Sequence, residues 1–229
     1  MPPSGSALQI TPDLLLRAYA SGLFPMAEGA DDPDLFWLDP ERRGIFPLDG
    51  LAISKSLRKV VRSGRFAIAF DRDFAAVIAA CAESAEGRSS TWINATIREL
   101  YGQLFEAGFV HTIEAYENDH LVGGLYGVTI GAAFFGESMF HRATDASKVC
   151  LVHLAAHLVA CGFTLLDTQF VTPHLITLGA IEIPRHAYHR RLADAIRRPV
   201  RFLKGPAEAG EEALTILAAA RAAATVAPG

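Results

Sequence analysis

The stretch from Gly123 to Thr172, GGLYGVTIGAAFFGESMFHRATDASKVCLVHLAAHLVACGFTLLDTQFVT, decides the fold, because clustered polar residues follow each change in its hydrophobic period. Leu121 to Ile130 is an extended run whose glycines let another backbone or a ligand approach closely. Ala132 to Phe140 predicts a second strand. The stretch therefore begins with two strands of a sheet.

The remainder of this stretch predicts a helix and a further strand. Ala146 to Cys161 follows the start signal Thr144-Asp145 and has apolar residues at the spacing of one helix face, and Gly162 supplies the stop. Phe163 to Phe170 is short, apolar and bounded by Gly and by Thr-Pro, which indicates a buried strand rather than a helix.

Polar side chains interrupt two of these strands. Asp167 and Gln169 are two residues apart on one strand, so their side chains point to the same face of the sheet. Glu137 and Ser138 stand among aromatic and apolar residues, where a carboxylate is costly to bury without a partner. The pattern fits either a reaction centre or a set of buried polar groups that satisfy one another or the backbone.

Length and composition describe a globular protein of one or two domains. The chain has 229 residues, of which 51% are hydrophobic, and its formal net charge is −4. A negative net charge argues against general binding of polyanions. Any contact with nucleic acid therefore has to come from a local basic patch.

Three features favour a cytoplasmic protein without a membrane segment. Cys81, Cys150 and Cys161 are odd in number and lack CxxC spacing, which suits reduced thiols better than a disulfide framework. The start, Met1 to Ser6, lacks the basic and apolar regions of a signal peptide. The longest uncharged stretch, Leu121 to Gly136, is too short and too rich in glycine for a membrane helix.

Residues 1–64 are expected to form a small N-terminal lobe. Thr11-Pro12-Asp13 combines an N-cap, an N1 proline and a first-turn acid, which predicts a helix that Gly22 ends. Near the end of the lobe, basic residues recur at helical spacing, namely Lys55, Arg58, Lys59 and Arg62. This basic face is either an ordinary solvated face or a contact for RNA phosphates, which the segment from Arg185 to Arg201 could extend.

Residues 65–204 are expected to form an α/β (α+β) domain with a mixed sheet. From residue 66 the predicted order is strand, helix, helix, strand, strand, strand, helix, strand, helix, the first eight at 66–70, 73–81, 94–107, 112–116, 121–128, 132–140, 146–161 and 163–170. Residues 205–229 are rich in Ala and Gly and predict either a peripheral helix or a frayed tail.

Three familiar kinds of site are disfavoured. The sequence GESMF at 136–140 resembles a serine-hydrolase elbow, but its Ser lies inside a strand and its fifth residue is Phe. His153 and His157 have the spacing of metal ligands, but no HExxH glutamate and no third ligand accompany them, so we expect partly exposed helix histidines and no metal. The glycines at 123–131 do not lead into a helix that could cradle a nucleotide, and we expect no cofactor.

Eight short motifs occur in one order along the chain: GLFPM at 22–26, FW at 36–37, TWI at 91–93, GGLYGV at 123–128, GESMF at 136–140, ASK at 146–148, LLDTQ at 165–169 and HL-x-x-LGA at 174–180. Together they resemble the leucyl/phenylalanyl-tRNA-protein transferase family, from about Leu14 to about Phe202. The chain departs from the family at 36–42, which reads FWLDPER where a paired Trp-Trp and Ser-Pro-Asp-Pro-Arg are usual.

The resemblance implies a fold and a reaction. It implies the fold of acyl-CoA N-acyltransferases, a GNAT-like domain, for residues 65–204. It also implies transfer of Leu or Phe, with Met as a further candidate, from aminoacyl-tRNA to the N-terminal Arg or Lys of acceptor proteins, which marks them for N-degron-dependent proteolysis. We expect a monomer whose partners are aminoacyl-tRNA and these acceptors. A CoA-dependent N-acyltransferase on the same fold and a non-catalytic tRNA-binding module are the alternatives.

The resemblance further implies roles for individual residues. Gln169 contacts the attacking α-amino group, Asp167 holds Gln169 and assists removal of the proton, and Glu137 anchors the charged α-amino group of the donor or the adjacent sugar. Substrate-binding residues are Ser138, the apolar donor pocket of Leu125, Phe134, Met139 and Leu151, and the rings expected to stack on the 3′ adenosine, Trp37, Trp92 and Tyr101. Core packing is the alternative for each Trp. The RNA-binding residues are Arg42, Lys55, Arg58, Lys59 and Arg62.

Overall fold

The computed structural model describes residues 10–27, 29, 34–83 and 91–226, so the chain start from Met1 to Ser6 lies outside it. Along these residues the helices α1 to α8 span Pro12–Ala20, Lys55–Arg62, Phe74–Ala82, Ala95–Glu106, Ala146–Cys161, Pro173–Thr177, Arg185–Ile196 and Gly210–Val226. The strands β1 to β9 span Phe24–Met26, Phe36–Leu38, Arg42–Phe46, Ala67–Phe70, Val110–Glu117, His120–Ile130, Ala133–His141, Leu165–Gln169 and Ile181–Pro184. Of the helices in these ranges, none combines the length and the apolar character needed to cross a bilayer.

The main sheet has the strand order β4-β5-β6-β7-β8-β3-β9. Its neighbours are antiparallel except β7 and β8, which are parallel. β1 and β2 form a separate antiparallel pair near the N-terminus. This architecture confirms the predicted α/β class with a small N-terminal lobe and a mixed sheet. The division of the chain at residues 64 and 204 stays a prediction, and β3, from the first segment, lies within the main sheet.

Local sequence signals position α5, which begins and ends where the sequence predicts. Gly162 takes a positive φ of 86°, a conformation that glycine adopts without strain. The N–H of Phe163 then donates to the carbonyl of Leu158 at 2.9 Å, which closes the helix end. At the other end Asp145 makes no N-cap hydrogen bond, and its carboxylate instead accepts from Lys148 Nζ at 2.7 Å.

Helices cover the main sheet on both faces. The side chains of β6 alternate between two hydrophobic clusters: Tyr126 and Val128 belong to the cluster with α1, α3, α4 and α7, whereas Leu125 belongs to the cluster with α2, α5 and α8. The sheet is therefore the middle layer of three, with one hydrophobic core on each face. Any gap between its strands lies between these two cores.

Two short elements, α6 and β9, are absent from the predicted order. α6 has five residues, none of them buried, and β9 has four residues at the sheet edge, of which only Ile183 is buried. Neither is long enough to show a hydrophobic period.

The prediction of partly exposed helix histidines is wrong, because His153 and His157 are both buried. The C-terminal part of the chain covers this side of α5. His157 Nδ1 lies 2.8 Å from Glu208 Oε1, and its Nε2 lies 3.0 Å from the carbonyl oxygen of Leu203. Residues 210–226 form the helix α8, which agrees with the first of the two alternatives for this segment and buries Ala213, Leu214 and Leu217.

Close packing of β6 against β7 leaves no room for a side chain at Gly127. A Cβ there would lie 2.3 Å from both Phe134 Cε1 and the carbonyl oxygen of Phe135. Gly127→Ala should lower the free energy of unfolding by about 1 to 3 kcal/mol, because overpacking forces the backbone to shift. Gly102→Ala in α4 is the control: its new Cβ would be 3.9 Å from the nearest atom, and we expect a gain of about 0.5–1 kcal/mol. Equal stability of the two variants in urea unfolding would contradict this packing.

Candidate active site

The parallel pairing of β7 and β8 stops part of the way along the strands. The last pair is Phe135 with Asp167, whereas β7 continues to His141 beside β6. Beyond this pair the two strands separate. Glu137 of β7 and Gln169 of β8 lie on the walls of the resulting gap.

A cavity of about 250 Å³ occupies the gap. Its lining is mainly apolar and consists of Phe46, Leu125, Tyr126, Gly136, Glu137, Ser138, Met139, Leu151, Leu154, Leu166, Thr168, Gln169, Thr172, His174 and Leu175. Six residues that the resemblance assigns to substrates or catalysis are brought together here: Leu125, Glu137, Ser138, Met139, Leu151 and Gln169. An apolar cavity with a few polar groups on its wall is the usual form of a small-ligand site.

Phe134 does not line this cavity, although the resemblance assigns it to the donor pocket. It lies in the paired part of β7, opposite Leu166, where the strands have not yet separated. Its side chain is fully buried, and its ring centroid is 6.2 Å from that of Phe202. Phe134 therefore belongs to the core beneath the site.

The aromatic residues expected to stack on the 3′ adenosine differ in exposure. Tyr101 is fully buried, with its ring edge-on to Tyr126 at 5.6 Å, and has no face free for a base. Its hydroxyl acts on the site instead, because it donates to Glu137 Oε2 at 3.1 Å. Trp37 and Trp92 are partly buried and pack against the core that contains Tyr101, so each retains some accessible surface.

Glu137 accepts hydrogen bonds from three side chains on different elements. Tyr19 of α1 donates to Oε1 at 2.7 Å, Tyr101 of α4 donates to Oε2, and Gln169 Nε2 donates to Oε1 at 3.3 Å. The two tyrosine hydroxyls also contact each other. Burial raises the pKa of Glu137 to about 7, against the hydrogen bonds from Tyr19 and Tyr101, which lower it. This carboxyl group therefore changes charge near neutral pH.

Asp167 is engaged by a buried arginine. Arg43 of β3 and Asp167 have no exposed side-chain surface, and Arg43 Nη2 lies 2.6 Å from Asp167 Oδ2. Burial alone would lower the pKa of Arg43, but the hydrogen bonds and charge of Asp167 raise it above its ordinary value. The guanidinium group lies over the rings of Phe24 and Tyr188, at 4.5 and 4.4 Å from their centroids. This ion pair is therefore shielded from solvent in the folded protein.

Gln169 ends β8 in an unusual backbone conformation. Its φ is +56°, in the left-handed region that non-glycine residues seldom occupy. Its N–H donates to Asp167 Oδ1 at 2.9 Å, and its partner in β3 is Gly44. A Cβ at Gly44 would lie 2.8 Å from Thr168 Oγ1. The turn that orients Gln169 thus depends on two neighbours. Asp167 Oδ1 accepts its N–H, and Gly44 leaves room that a Cβ would fill.

Sequence reasoning missed Tyr19, Arg43 and Tyr188 as members of this site. Tyr19 contributes to the apolar stripe of α1, and Arg43 stands next to the exposed Arg42 in a charged run. The one signal in the sequence is that Arg43 lies two residues before the apolar Ile45, so both side chains point to the same face of a strand.

The predicted RNA-binding residues fall into two groups. Arg62 pairs with Glu211 of α8 at 2.6 Å, and Arg42 lies 3.6 Å from Glu182. Lys55, Arg58 and Lys59 of α2 have no ion pair with any described residue, while Leu57 and Val61 are buried on the other side of the helix. Lys55, Lys59 and Arg62 are exposed to solvent, whereas Arg58 is partly buried and donates from Nε to the carbonyl oxygen of Ile53 at 3.3 Å. The basic face is therefore only partly neutralised.

Among the residues with assigned positions, no three His, Cys, Asp or Glu side chains are arranged to hold a metal ion. Ser138 lies inside β7, not at a strand-to-helix turn. The site combines apolar walls with the carboxyl group of Glu137, the amide of Gln169, the hydroxyl groups of Ser138, Thr168 and Thr172, and the imidazole of His174.

Comparison with known proteins matches nearly the whole chain. Residues 45–193 match the family described as leucyl/phenylalanyl-tRNA protein transferase, and residues 9–41 match its N-terminal domain. A relative of that name from Afipia carboxidovorans is 57% identical over 216 residues, which cover 94% of this chain and 95% of the relative. Relatives of the same name from Rhodopseudomonas palustris strains BisB18 and TIE-1 are 57% and 55% identical, over 91% and 93% of this chain and 92% and 96% of their own lengths.

The carboxyl group of Glu137 should titrate far above an ordinary glutamate. We expect a midpoint of about 7 in ¹³C-detected NMR of the carboxyl carbons. Tyr19→Phe should raise the midpoint further, because the hydrogen bond that it removes stabilises the charged form. Glu117 is the internal control, since its hydrogen bond with Arg65 lowers its pKa. An ordinary glutamate midpoint for Glu137 would contradict the described burial.

Proposed function

Since the chain belongs to the leucyl/phenylalanyl-tRNA protein transferase family, we propose that it transfers leucyl or phenylalanyl groups, with methionyl as a third donor, from tRNA to the N-terminal Arg or Lys of acceptor proteins. The observation that supports this most directly is the apolar cavity between β7 and β8, with a carboxyl group and an amide on its wall. In this proposal the enzyme acts as a monomer in the cytoplasm, and its products are substrates for N-degron-dependent proteolysis.

The reaction needs positioning more than activation. The α-amino nitrogen of the acceptor bonds to the carbonyl carbon of the aminoacyl ester, the ester C–O bond breaks, and the ribose oxygen leaves with the proton that the nitrogen loses. An aminoacyl ester is already activated, so the chemistry requires no ATP, metal or covalent enzyme intermediate. Holding the amine and the ester in register is the main contribution of such a site.

The polar wall of the cavity holds the reacting groups in this proposal. Gln169 contacts the attacking amine, because its amide lies on the wall and its Nε2 is already held by Glu137 at 3.3 Å. Glu137, when ionised, anchors the charged α-amino group of the donor or the adjacent sugar. Asp167 holds Gln169 through its backbone N–H. Ser138 supplies a hydroxyl group beside them.

The apolar wall receives the side chain of the donor amino acid. Leu125, Met139 and Leu151 come from β6, β7 and α5, so the pocket is enclosed from three directions. Met139 has a flexible, unbranched side chain that adapts to ligands of different shape, which suits a site that takes both Leu and Phe. Branching at Cβ would crowd the pocket entrance, so Val and Ile should be poor donors.

The body of the tRNA lies along the basic face of α2 in this proposal. Lys55, Arg58 and Lys59 are free of carboxylate partners among the described residues, so they are available for phosphates without first breaking an ion pair. Trp37 and Trp92 are the candidates for stacking on the terminal adenosine, where one stack contributes about 1–3 kcal/mol. Arg42 and Arg62 would contribute after exchanging their carboxylate partners.

The proposed function is tested by incubating the protein with labelled leucyl-tRNA and a peptide that begins with Arg. We expect label in the peptide and none in the same peptide acetylated at its N-terminus. Binding of charged tRNA without transfer to any peptide would indicate a tRNA-binding module. Acetylation of a peptide by acetyl-CoA, without transfer from tRNA, would indicate a CoA-dependent N-acyltransferase.

Reversing the charge of α2 should weaken tRNA binding without unfolding the protein. Arg58→Glu together with Lys59→Glu should reduce the logarithmic salt slope by about 0.7–0.9 for each phosphate that the variant no longer neutralises. Arg98→Glu on α4 is the control, because that exposed arginine lies on the opposite side of the main sheet. An unchanged salt slope in the double variant would indicate that the RNA binds another surface, such as Arg185 to Arg201.

The ion pair of Arg62 with Glu211 offers a test in the opposite direction. Glu211→Gln should tighten tRNA binding and steepen its salt dependence, because it releases Arg62 for a phosphate. Glu212→Gln is matched in charge and position, but Glu212 has no ion pair among the described residues. Equal affinities of the two variants would show that Arg62 lies outside the RNA-binding surface.

Shortening Met139 should change the ranking of donors. Met139→Ala should lower kcat/KM for leucyl-tRNA by about 10- to 200-fold at most, the range for one missing apolar group, and should impair binding of uncharged tRNA much less. Competition between leucyl-, phenylalanyl- and valyl-tRNA for one Arg-peptide measures the ranking. Leu203→Ala, at an exposed position, is the control. Identical rankings and rates for wild type and Met139→Ala would exclude Met139 from the donor pocket.

A further inference from the structure

We propose that Arg43 is a positioning residue of the transfer reaction: it holds Asp167 as a fixed anion inside the protein, so that Gln169 is set for the attacking amine and Asp167 itself takes no proton. The inference rests on the proposed function and adds a residue to it. It also separates the two tasks that the resemblance assigns to Asp167, because it keeps the holding of Gln169 and removes the proton transfer.

The carboxylate of Asp167 has no position left for a proton. A carboxylate offers about four lone-pair sites. Oδ1 accepts from Arg43 Nε and from the N–H of Gln169, both at 2.9 Å. Oδ2 accepts from Arg43 Nη2 at 2.6 Å and from the hydroxyl group of Tyr188 at 2.7 Å. Protonation of either oxygen would displace one of these donors, so Asp167 is an anionic acceptor and a poor base.

Arg43 is itself fixed on every side. Its Nη1 donates to the carbonyl oxygen of Gly22 at 2.9 Å, at the turn between α1 and β1. Phe24 and Tyr188 lie against its guanidinium group. Burial of a cation at this depth requires both an opposite charge and hydrogen bonds for its remaining N–H groups, and Asp167 and Gly22 supply them. The pair therefore joins β3 and β8 to the turn between α1 and β1 and to α7.

The guanidinium shape is essential to this arrangement. A planar fork donates to both oxygens of Asp167 and to Gly22 at the same time. Lysine carries the same charge on a single nitrogen and cannot reproduce the two parallel hydrogen bonds. Arg43→Lys thus keeps the positive charge and loses the two parallel hydrogen bonds. Its effect therefore measures the contribution of the hydrogen-bond geometry separately from that of the charge.

The ion pair acts on Gln169 through the hydrogen bond between its N–H and Asp167. Its left-handed backbone is costly for glutamine and persists only if the surroundings hold it, and the bond from its N–H to Asp167 Oδ1 is such a restraint. Rotation of the carboxylate would release the N–H and move the side-chain amide away from Glu137. A displacement of about 1 Å can reduce the rate about 10²-fold.

The charged and titratable groups that face the pair are few in the described part of the chain. Tyr188 approaches from α7, Glu137 from β7 and Asp39 from the segment after β2. Burial and then the charge of Asp167 raise the pKa of Tyr188, so it remains a donor. Glu137 is the member of this group whose charge changes near neutral pH.

The test compares Arg43→Lys, Arg43→Met, Asp167→Asn and the double variant Arg43→Met/Asp167→Asn with wild type. For each variant that is folded by circular dichroism, kcat and KM for leucyl-tRNA and the Arg-peptide are measured from about pH 6 to about pH 9, the range in which Glu137 and the acceptor amine titrate. Arg17→Lys on α1 is the matched control, since Arg17 is an exposed arginine whose ion pair within the described residues is with Asp13.

We expect Arg43→Lys to lower kcat by about 10- to 100-fold, with little change in KM, because displacement affects the reacting geometry and not the affinity. Asp167→Asn should lower kcat and move the titration step of Glu137 to lower pH, because the charge of Asp167 raises the pKa of that carboxyl group, but it should remove no titration step. In Arg43→Met the buried carboxyl group of Asp167 loses its cationic partner, so transfer should gain a titration step that the double variant lacks. Arg17→Lys should behave as wild type.

Two results would overturn the inference while leaving the proposed function intact. One is a wild-type kcat for Arg43→Lys together with a lower melting temperature, which would make the ion pair structural only. The other is loss of a titration step in Asp167→Asn, which would show that Asp167 carries a proton. Absence of transfer by wild type would overturn the proposed function and the inference together. Should Arg43→Met fail to fold, Arg43→Lys and Asp167→Asn alone decide the matter.

Discussion

The site depends on one constraint of strand pairing: β7 and β8 run parallel and stay hydrogen-bonded only as far as Phe135 and Asp167. If the pairing continued, β8 would fill the gap in which the cavity lies, and the side chains of Glu137 and Gln169 would be parts of a closed sheet. Because the strands separate, the cavity lies in a wedge between them that is bordered by both cores. The polar groups and the apolar pocket thus come from the same departure from regular pairing.

The two faces of the sheet contribute different parts of this wedge. The α5 side supplies apolar walls, including Leu151, and the opposite side supplies the polar supports, namely Tyr19, Tyr101 and the Arg43–Asp167 pair. These supports are buried and do not line the cavity themselves. Their effect is to fix Glu137 and Gln169, which do line the cavity. Rigid support from a second layer of residues is what a positioning mechanism requires.

Local sequence patterns were sufficient to predict those elements whose bounds depend on residues close in sequence. α5 was predicted with its observed bounds, because its apolar period and Gly162 are local signals. The position of β3 between β8 and β9 was not predicted, since it depends on the pairing of Phe46 with Leu166, which is far away in sequence. For the same reason Arg43, whose partner lies 124 residues further along, was not recognised as part of the site. Tyr101 was assigned to RNA from the resemblance, which identifies residues in the site but not the depth at which they lie.

The claim that this wedge is the donor site is tested most directly by a crystal structure with an adenosine that carries leucine through a 3′ amide in place of the ester. We expect density for the leucyl side chain against Met139 and Leu151, with the carbonyl group within hydrogen-bond distance of Gln169 and the amino group beside Glu137. Binding of the analogue elsewhere on the protein, with the cavity between β7 and β8 unchanged, would contradict it.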